Sequence, residues 1–549
     1  MPRTMLPWTA RISLALCLVL SAPALSADGA DGGSSMPDDA TLEARGVTIG
    51  AIEIDAEDVF DPEKPGEDRR LFRAANRLHR ETRQAVIARQ LLFKTGDRFS
   101  RRVLDETERL LRTDRYLYDV SIRVARLHGE TVDLVVETRD VWTLKVGLGL
   151  GRSGGANTSR FELQDTNLLG LGKALTLSRE NGVDRSTTEL RYDDRNLLGS
   201  RAELSLSAAE TSDGSRRYFR LARPFYSLAT RWGAELAAFD EERVDSFYQL
   251  GEITGRIGHR LRSFELSGGL SRGLIAGRTH RFSLGFTYRE DRFTSVAGAG
   301  AVALPPDRTL AYPWVSFDRL EDRFIEEHDL DRLHRTEDLA LGTQLHARLG
   351  LASSLTGSDR TALIFDASAA TGRRPSARQT LSLEGRVTGR YGTAGVENLL
   401  LSSAARYHLR DFGNQLFYID LEASATENRD PENQLLLGGD SGLRGYPLRY
   451  QDGDRRLLLT VEQRFFTHLE PWHLFHVGAA AFVDTGRTWG REDHFGRNLG
   501  WLADAGLGLR LAPSRSHNGS VVHVDVAFPL LGPRDLEHVQ LLVTTKTSF

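Results

Sequence analysis

Across 549 residues, 71 basic and 75 acidic side chains leave a formal charge of −4, so the chain offers no basic field to hold nucleic acid. It is too long for one ordinary soluble domain, and 52 glycines beside 17 prolines suit strands that bend or pack closely better than a disordered tail. The one cysteine, Cys17, excludes a disulfide framework and a thiolate metal site.

Residues 1–27 read as a secretory signal peptide. Arg3 and Arg11 flank the start, Ile12 to Leu20 is apolar, and SAPALSA offers small residues for cleavage after Ala24 or Ala27. Leu16, ahead of Cys17, argues against lipidation. Residues 28–45, acidic and rich in Gly and Ser, are expected to form a disordered leader. From 46 to 140 the order is strand–helix–helix–strand–strand. VTIGAIEI reads as a strand. Helical spacing runs over Arg69 to Phe93, with Leu71, Ala75, Leu78, Val86, Ile87 and Leu91 in phase. Ser100 caps a second helix carrying Val103, Leu104, Leu110 and Leu111, and VSIRVARL and TVDLVVET form a hairpin. This is a small α+β unit.

Beyond Asp140 the texture alternates. In VWTLKVGLGLG, Trp142, Leu144, Val146, Leu148 and Leu150 share one face, and Gly147, Gly149 and Gly151 share the other. NLLGLGKALTLS at Asn167 is echoed by NLLGSRAELSLS at Asn196, which reads as turn plus strand and not as a solenoid repeat. No later stretch approaches about 18 consecutive apolar residues, so a membrane-spanning chain here must be a closed barrel. Residues 141–549 are expected to hold about 16 antiparallel strands. Trp232, Tyr312 and Trp314 are read as an interfacial girdle, and the alternating HVQLLVTTKTSF runs to an aromatic end at Phe549. A soluble propeller or sandwich array is the alternative.

GGDSGLRGYP, Gly438 to Pro447, admits two readings. GDSG surrounds the nucleophile of trypsin-like proteases, but such a serine needs a base and an orienting acid, and no matching histidine segment is present. His468, His473 and His476 lack both an HExxH pattern and paired cysteines, and are not read as a metal site. The other reading takes Gly442 and Gly445 as glycines that let a loop tip come close to neighbouring backbone. Alternation puts Glu462 (RRLLLTVEQRFF) and Asp484 (HVGAAAFVDTGRTW) on inward faces, and one guanidinium can fork between two carboxylates.

The Leu-Arg-Gly-Tyr loop, the FVDTG strand and the aromatic end resemble the BamA/TamA-like superfamily of outer-membrane assembly and translocation barrels, and the α+β unit resembles its POTRA module. The resemblance spans 46–549. It departs from relatives that carry several POTRA domains, a plug helix or a fused patatin lipase. It implies an all-β transmembrane barrel preceded by one POTRA-like domain (46–140), in the outer membrane with the POTRA in the periplasm. It also implies a lumenal loop lock of Gly442, Arg444, Gly445, Tyr446, Glu462 and Asp484. A lateral seam is implied between Val141–Gly151 and Val539–Phe549, with Gly147, Gly149, Gly151 and Phe549 at its edges. The expected role is insertion or translocation of client proteins, captured unfolded by the POTRA. The expected partners are these clients, outer-membrane lipid and a periplasmic protein, with no cofactor and no enzymatic chemistry. The alternative is a gated or passive pore for solute or lipid, with the POTRA as a docking module.

Overall fold

The computed structural model describes residues 36–57, 81–298, 300, 302–490, 499–514, 521–533 and 536–546. The signal segment and Phe549 lie outside them, as do residues 69–80 of the first expected helix.

The α+β unit begins earlier than its sequence pattern indicates. Helix α1 (Asp39–Arg45) occupies part of the expected leader. The Asp38 carboxylate caps it by accepting from Thr41 N at 2.9 Å, and Gly46 at φ 66° ends it. Leu42, its one buried residue, drops into the core of the unit, and this burial orders a short polar segment. Strand β1 (Thr48–Glu57) is followed by α2 (Gln84–Ala88) and α3 (Arg101–Arg112), then β2 (Leu117–His128) and β3 (Thr131–Asp140). The sheet order is β1-β3-β2, with β1 parallel to β3 and β2 antiparallel to it. Ile87, Leu104, Leu111, Ile122 and Leu134 are fully or almost fully buried between helices and sheet. The described part of the first helix stops at Ala88, and Phe93 enters the core from a turn. Ser100 takes the N-cap position of α3 without a side-chain bond; Glu43 from α1 accepts from Arg101 N instead, at 2.7 Å.

The rest of the chain closes into a barrel of 20 strands, not about 16. Six short strands come first: β4 (Leu144–Ser153), β5 (Ala156–Asp165), β6 (Lys173–Asn181), β7 (Ser186–Asp194), β8 (Glu203–Thr211) and β9 (Gly214–Arg223). Taller ones follow: β10 (Trp232–Gln249), β11 (Glu252–Ile275), β12 (Arg278–Ser295) and β13 (Arg308–Glu321). A small hairpin, β14 (Phe324–His328) and β15 (Thr336–Ala340), interrupts the wall. The wall resumes with β16 (Gln344–Ala352), β17 (Ala362–Ser376), β18 (Gln379–Gly392), β19 (Gly395–Leu409) and β20 (Gln415–Glu427). After the two-residue strands β21 (Leu436–Leu437) and β22 (Gln451–Asp452), it ends with β23 (Arg455–Phe466), β24 (Phe475–Trp489), β25 (Leu502–Pro513), β26 (Val521–Pro529) and β27 (Gln540–Lys546). Six strands with tight turns fit into residues 144–223, which a uniform allowance per strand overlooks.

Alternation sets the wall. On β4, Leu148 and Leu150 are 82% and 77% exposed on the outer side, with Gly147, Gly149 and Gly151 facing in. Phe282, Leu284 and Val315 continue this apolar belt. Trp232 is half exposed, but Tyr312 and Trp314 point into the lumen, opposite in parity to Val315. Trp314 donates from its indole to Thr287 at 3.0 Å and lies against Gly285, which has no side chain to obstruct it. Aromatic composition alone does not distinguish a lumenal ring from an interfacial one; parity does. The echoed NLLG segments form two matching turns, with Leu169 and Leu198 both left-handed (φ 57° and 54°). Both turns carry the α+β unit. Asn167 donates to Thr82 at 2.8 Å, and Arg195 pairs with Asp114 at 3.0 Å.

Candidate functional site

Residues 428–454, between β20 and β23, enter the lumen from the end opposite the α+β unit. The β21–β22 pair forms the neck of this loop, and Gly438–Tyr450 forms its tip. Turns knit the tip: Leu443 N donates to Gly438 O and Tyr446 N to Leu443 O, at 3.0 and 3.1 Å. Gly442 has φ 112°, and a Cβ there would lie 2.2 Å from Leu458. A Cβ on Gly445 would lie 2.6 Å from that of Asp504. The loop reaches the wall because these two positions carry no side chain. Ser441 Oγ lies 3.4 Å from Gly438 O, within the turn.

The tip delivers Arg444. Its Nε and Nη2 donate to the two Asp484 oxygens at 2.7 and 3.0 Å, and its Nη1 donates to Glu462 at 3.3 Å. The guanidinium carbon is 3.3 Å from the Phe482 ring centre. All three charged groups are buried. A planar fork satisfies this geometry, and a lysine ammonium cannot. Thr460 donates to Asp484 at 2.9 Å. Tyr446 is fully buried; its hydroxyl donates to the Leu531 or Ala503 carbonyl and accepts from Ala503 N at 3.0 Å.

The cluster extends beyond the residues singled out in the sequence. Asp525 lies 3.6 Å from Arg444 and also pairs with Arg510, which is itself 3.6 Å from Glu462. Asp504 faces Asp484 across the β24–β25 ladder and lies against Gly445. Parity in LADAGLGLRLAP and VVHVDVAFP turns Asp504, Arg510 and Asp525 inward, a signal available in the sequence.

The loop also crosses the line where the barrel closes. Among the described residues, the β27–β4 ladder is in register only at Val543↔Arg152, whereas β26–β27 pairs from Val521↔Lys546 to Ala527↔Gln540. On the β4 side, Ser153 Oγ donates to Gly439 O at 2.8 Å, and Leu448 N donates to Gly154 O at 3.2 Å. Arg449 forks onto Asp184 at 2.9 and 2.8 Å and stacks over Tyr248. On the β27 side, Arg444 and Tyr446 hold β23, β24 and β25. One loop therefore bonds to β4 on one side of this joint and to β23, β24 and β25 on the other.

No protein-family model and no curated protein matches the sequence. Among solved structures, the chain is similar to BamA from Haemophilus ducreyi lacking POTRA domains 1–3, with 13% identity and TM-score 0.38 over 91% of this chain and 85% of that one. It is also similar to CdiB from Escherichia coli, with 14% identity and TM-score 0.45 over 91% of this chain and 76% of that one. CdiB from Acinetobacter baumannii matches with 11% identity and TM-score 0.41, over 91% and 73%.

Proposed function

We propose that this chain is an outer-membrane barrel of the BamA/TamA-like superfamily that inserts or translocates client proteins, with the α+β unit as its POTRA-like capture module. The observation that carries this reading is the seam. Among the described residues, strands β27 and β4 share a single registered pair while the other neighbours in the wall share long ladders, and a lumenal loop holds that joint from within. A passive pore gains nothing from a weak joint in its wall. A barrel that passes a client strand sideways into lipid requires one, because unpaired strand edges are tolerated in lipid only while another strand replaces them. The sheet of the α+β unit ends in β1 and β2, edges of the kind that accept an extended segment by strand addition.

The test uses the seam pair. Arg152→Cys with Val543→Cys, in a Cys17→Ser chain, places two thiols at directly opposed ladder positions, within disulfide reach. In proteoliposomes the reduced protein is expected to accelerate insertion of an unfolded barrel client, and the oxidised protein to lose that acceleration until reductant restores it. Equal activity in both states would overturn lateral opening. Steady open conductance from the oxidised protein would favour the pore.

A further inference from the structure

The connection 322–343, at the end of the barrel that carries the α+β unit, is not a plain turn. Leu320 and Gln344 are already ladder partners, and Glu321 N donates to Thr343 O, so a two-residue turn would join β13 to β16. Instead the β14–β15 hairpin and its tip cross the lumen. Leu330 and Leu333 bury against Leu416, Phe466, Ala480, Ala512 and Val521, on β20 and β23–β26, four to eight positions beyond β16 in the ring. The tip is fixed there by Arg464, which donates to Leu330 O at 2.7 Å and pairs with Asp331 at 3.1 Å, and by His334, bonded to Thr467 O at 2.9 Å.

The hairpin is poorly built to stand alone. Two successive cross-strand pairs are both acidic, Glu326↔Asp338 and Glu327↔Glu337. Like charges directly opposite each other destabilise a strand pair, and an isolated two-stranded hairpin is marginal to begin with. Each acidic pair takes its cation from a different body. Arg374 and Arg410, on the wall side, engage Glu327 at 2.7 and 3.4 Å. Arg112 of α3 forks between Asp338, at 3.0 and 3.1 Å, and Glu326, at 2.7 Å. Arg102 and Arg109, on the same face of α3, reach Asp322, and Arg109 stacks over Phe324.

We infer that residues 322–343 form a strap that closes the mouth of the lumen on the α+β side and is released when α3 moves away. Between the strap's base and the loop neck lies a chamber of about 520 Å³, lined by Leu320, His346, Ser402, Arg406 and Arg456. Arg456 donates to Leu436 O in the neck. The wall holds the tip by apolar contact and through Arg464 and His334, and it neutralises Glu327, whereas the Glu326–Asp338 pair depends on Arg112 of α3. A partner that draws α3 off the strap therefore leaves Glu326, Asp338 and Asp322 without the α3 arginines that face them and opens the chamber from that side. That a client is the partner rests on the function proposed above; the closure itself does not.

The test reads access to the chamber, independently of client insertion. In a Cys17→Ser, Ser402→Cys chain, a membrane-impermeant maleimide is added on the α+β side of the reconstituted barrel. Replacing 322–342 by Asn-Gly is expected to raise the labelling rate at least about tenfold. Arg112→Glu, which keeps the chain intact, is expected to raise it about fivefold. Both variants should retain the heat-modifiable gel shift of a folded barrel. A folded variant of either kind that labels at the wild-type rate overturns the strap. If the shortened chain does not fold, Arg112→Glu decides alone.

Discussion

Two segments enter the lumen from opposite ends, and they are held by different physics. The loop tip at 438–450 is fixed by a buried guanidinium–carboxylate network, with glycines at the two tightest approaches and each side of the seam engaged. The strap at 322–343 is fixed by an apolar tip on the wall and by ion pairs that are partly open to water, with Glu326 half exposed beside Arg112. Buried charge is costly to separate, because each partner left behind keeps its desolvation penalty; half-exposed pairs separate cheaply and are screened by salt. The first arrangement suits a fastener and the second a release. They meet at Glu462, where Arg444 of the loop approaches one carboxylate oxygen and Arg464, which holds the strap, lies 3.6 Å from the other.

The largest way to break this contrast is Arg444→Ala. It strands Asp484 and Glu462 in the lumen and should cost about 3–5 kcal/mol, read as a lowered midpoint of the heat-modifiable gel shift. An unchanged midpoint would remove the loop from its fastening role. Leu333→Ala empties the strap's anchor and should weaken strap docking by about 2–5 kcal/mol, seen as faster limited proteolysis within 322–343 while the barrel midpoint holds. A fall of both together would make the strap part of the wall. Gly442→Ala combines a positive φ with a clash against Leu458 and should cost the loop about 1–3 kcal/mol, visible as proteolysis at 438–450. Cleavage at the wild-type rate would mean the loop relaxes freely around that position.

The smallest effect is a pH slope confined to the strap. Burial, and then the negative charge of Asp331, push the Glu337 carboxyl up to about 7, while it accepts from the backbone N–H groups of Leu330, Asp331 and Arg332. An unfolded glutamate titrates near about 4.3. The docked strap therefore binds the proton more tightly, and its docking should weaken as pH rises from about 4.5 to about 7. Glu337→Gln should reduce that slope in the proteolysis assay. Equal slopes in the two proteins would place the titration elsewhere.

Much of the Arg444 cluster was legible beforehand. Period-two alternation turns Glu462 and Asp484 inward whatever the register, and a glycine-flanked arginine between apolar strands has few places to go. Asp504, Arg510 and Asp525 obey the same parity but lack a motif to draw attention to them. The strand number was less accessible, since two-residue and seven-residue connections look alike in composition. The strap was illegible: no motif or periodicity marks its charged residues, and they gain their meaning only when the fold sets α3 over them and the far wall under the tip.

The sequence by itself determined the faces of the strands and which carboxylates could meet Arg444, because these follow from side-chain periodicity and from the donor geometry of a single group. Only the tertiary structure decided how many strands close the ring, that 39–45 is helical and that 322–343 crosses the lumen. Each of those depends on contacts between segments distant in the chain. Their energies come from burial and charge pairing across the lumen, and local pattern does not contain them.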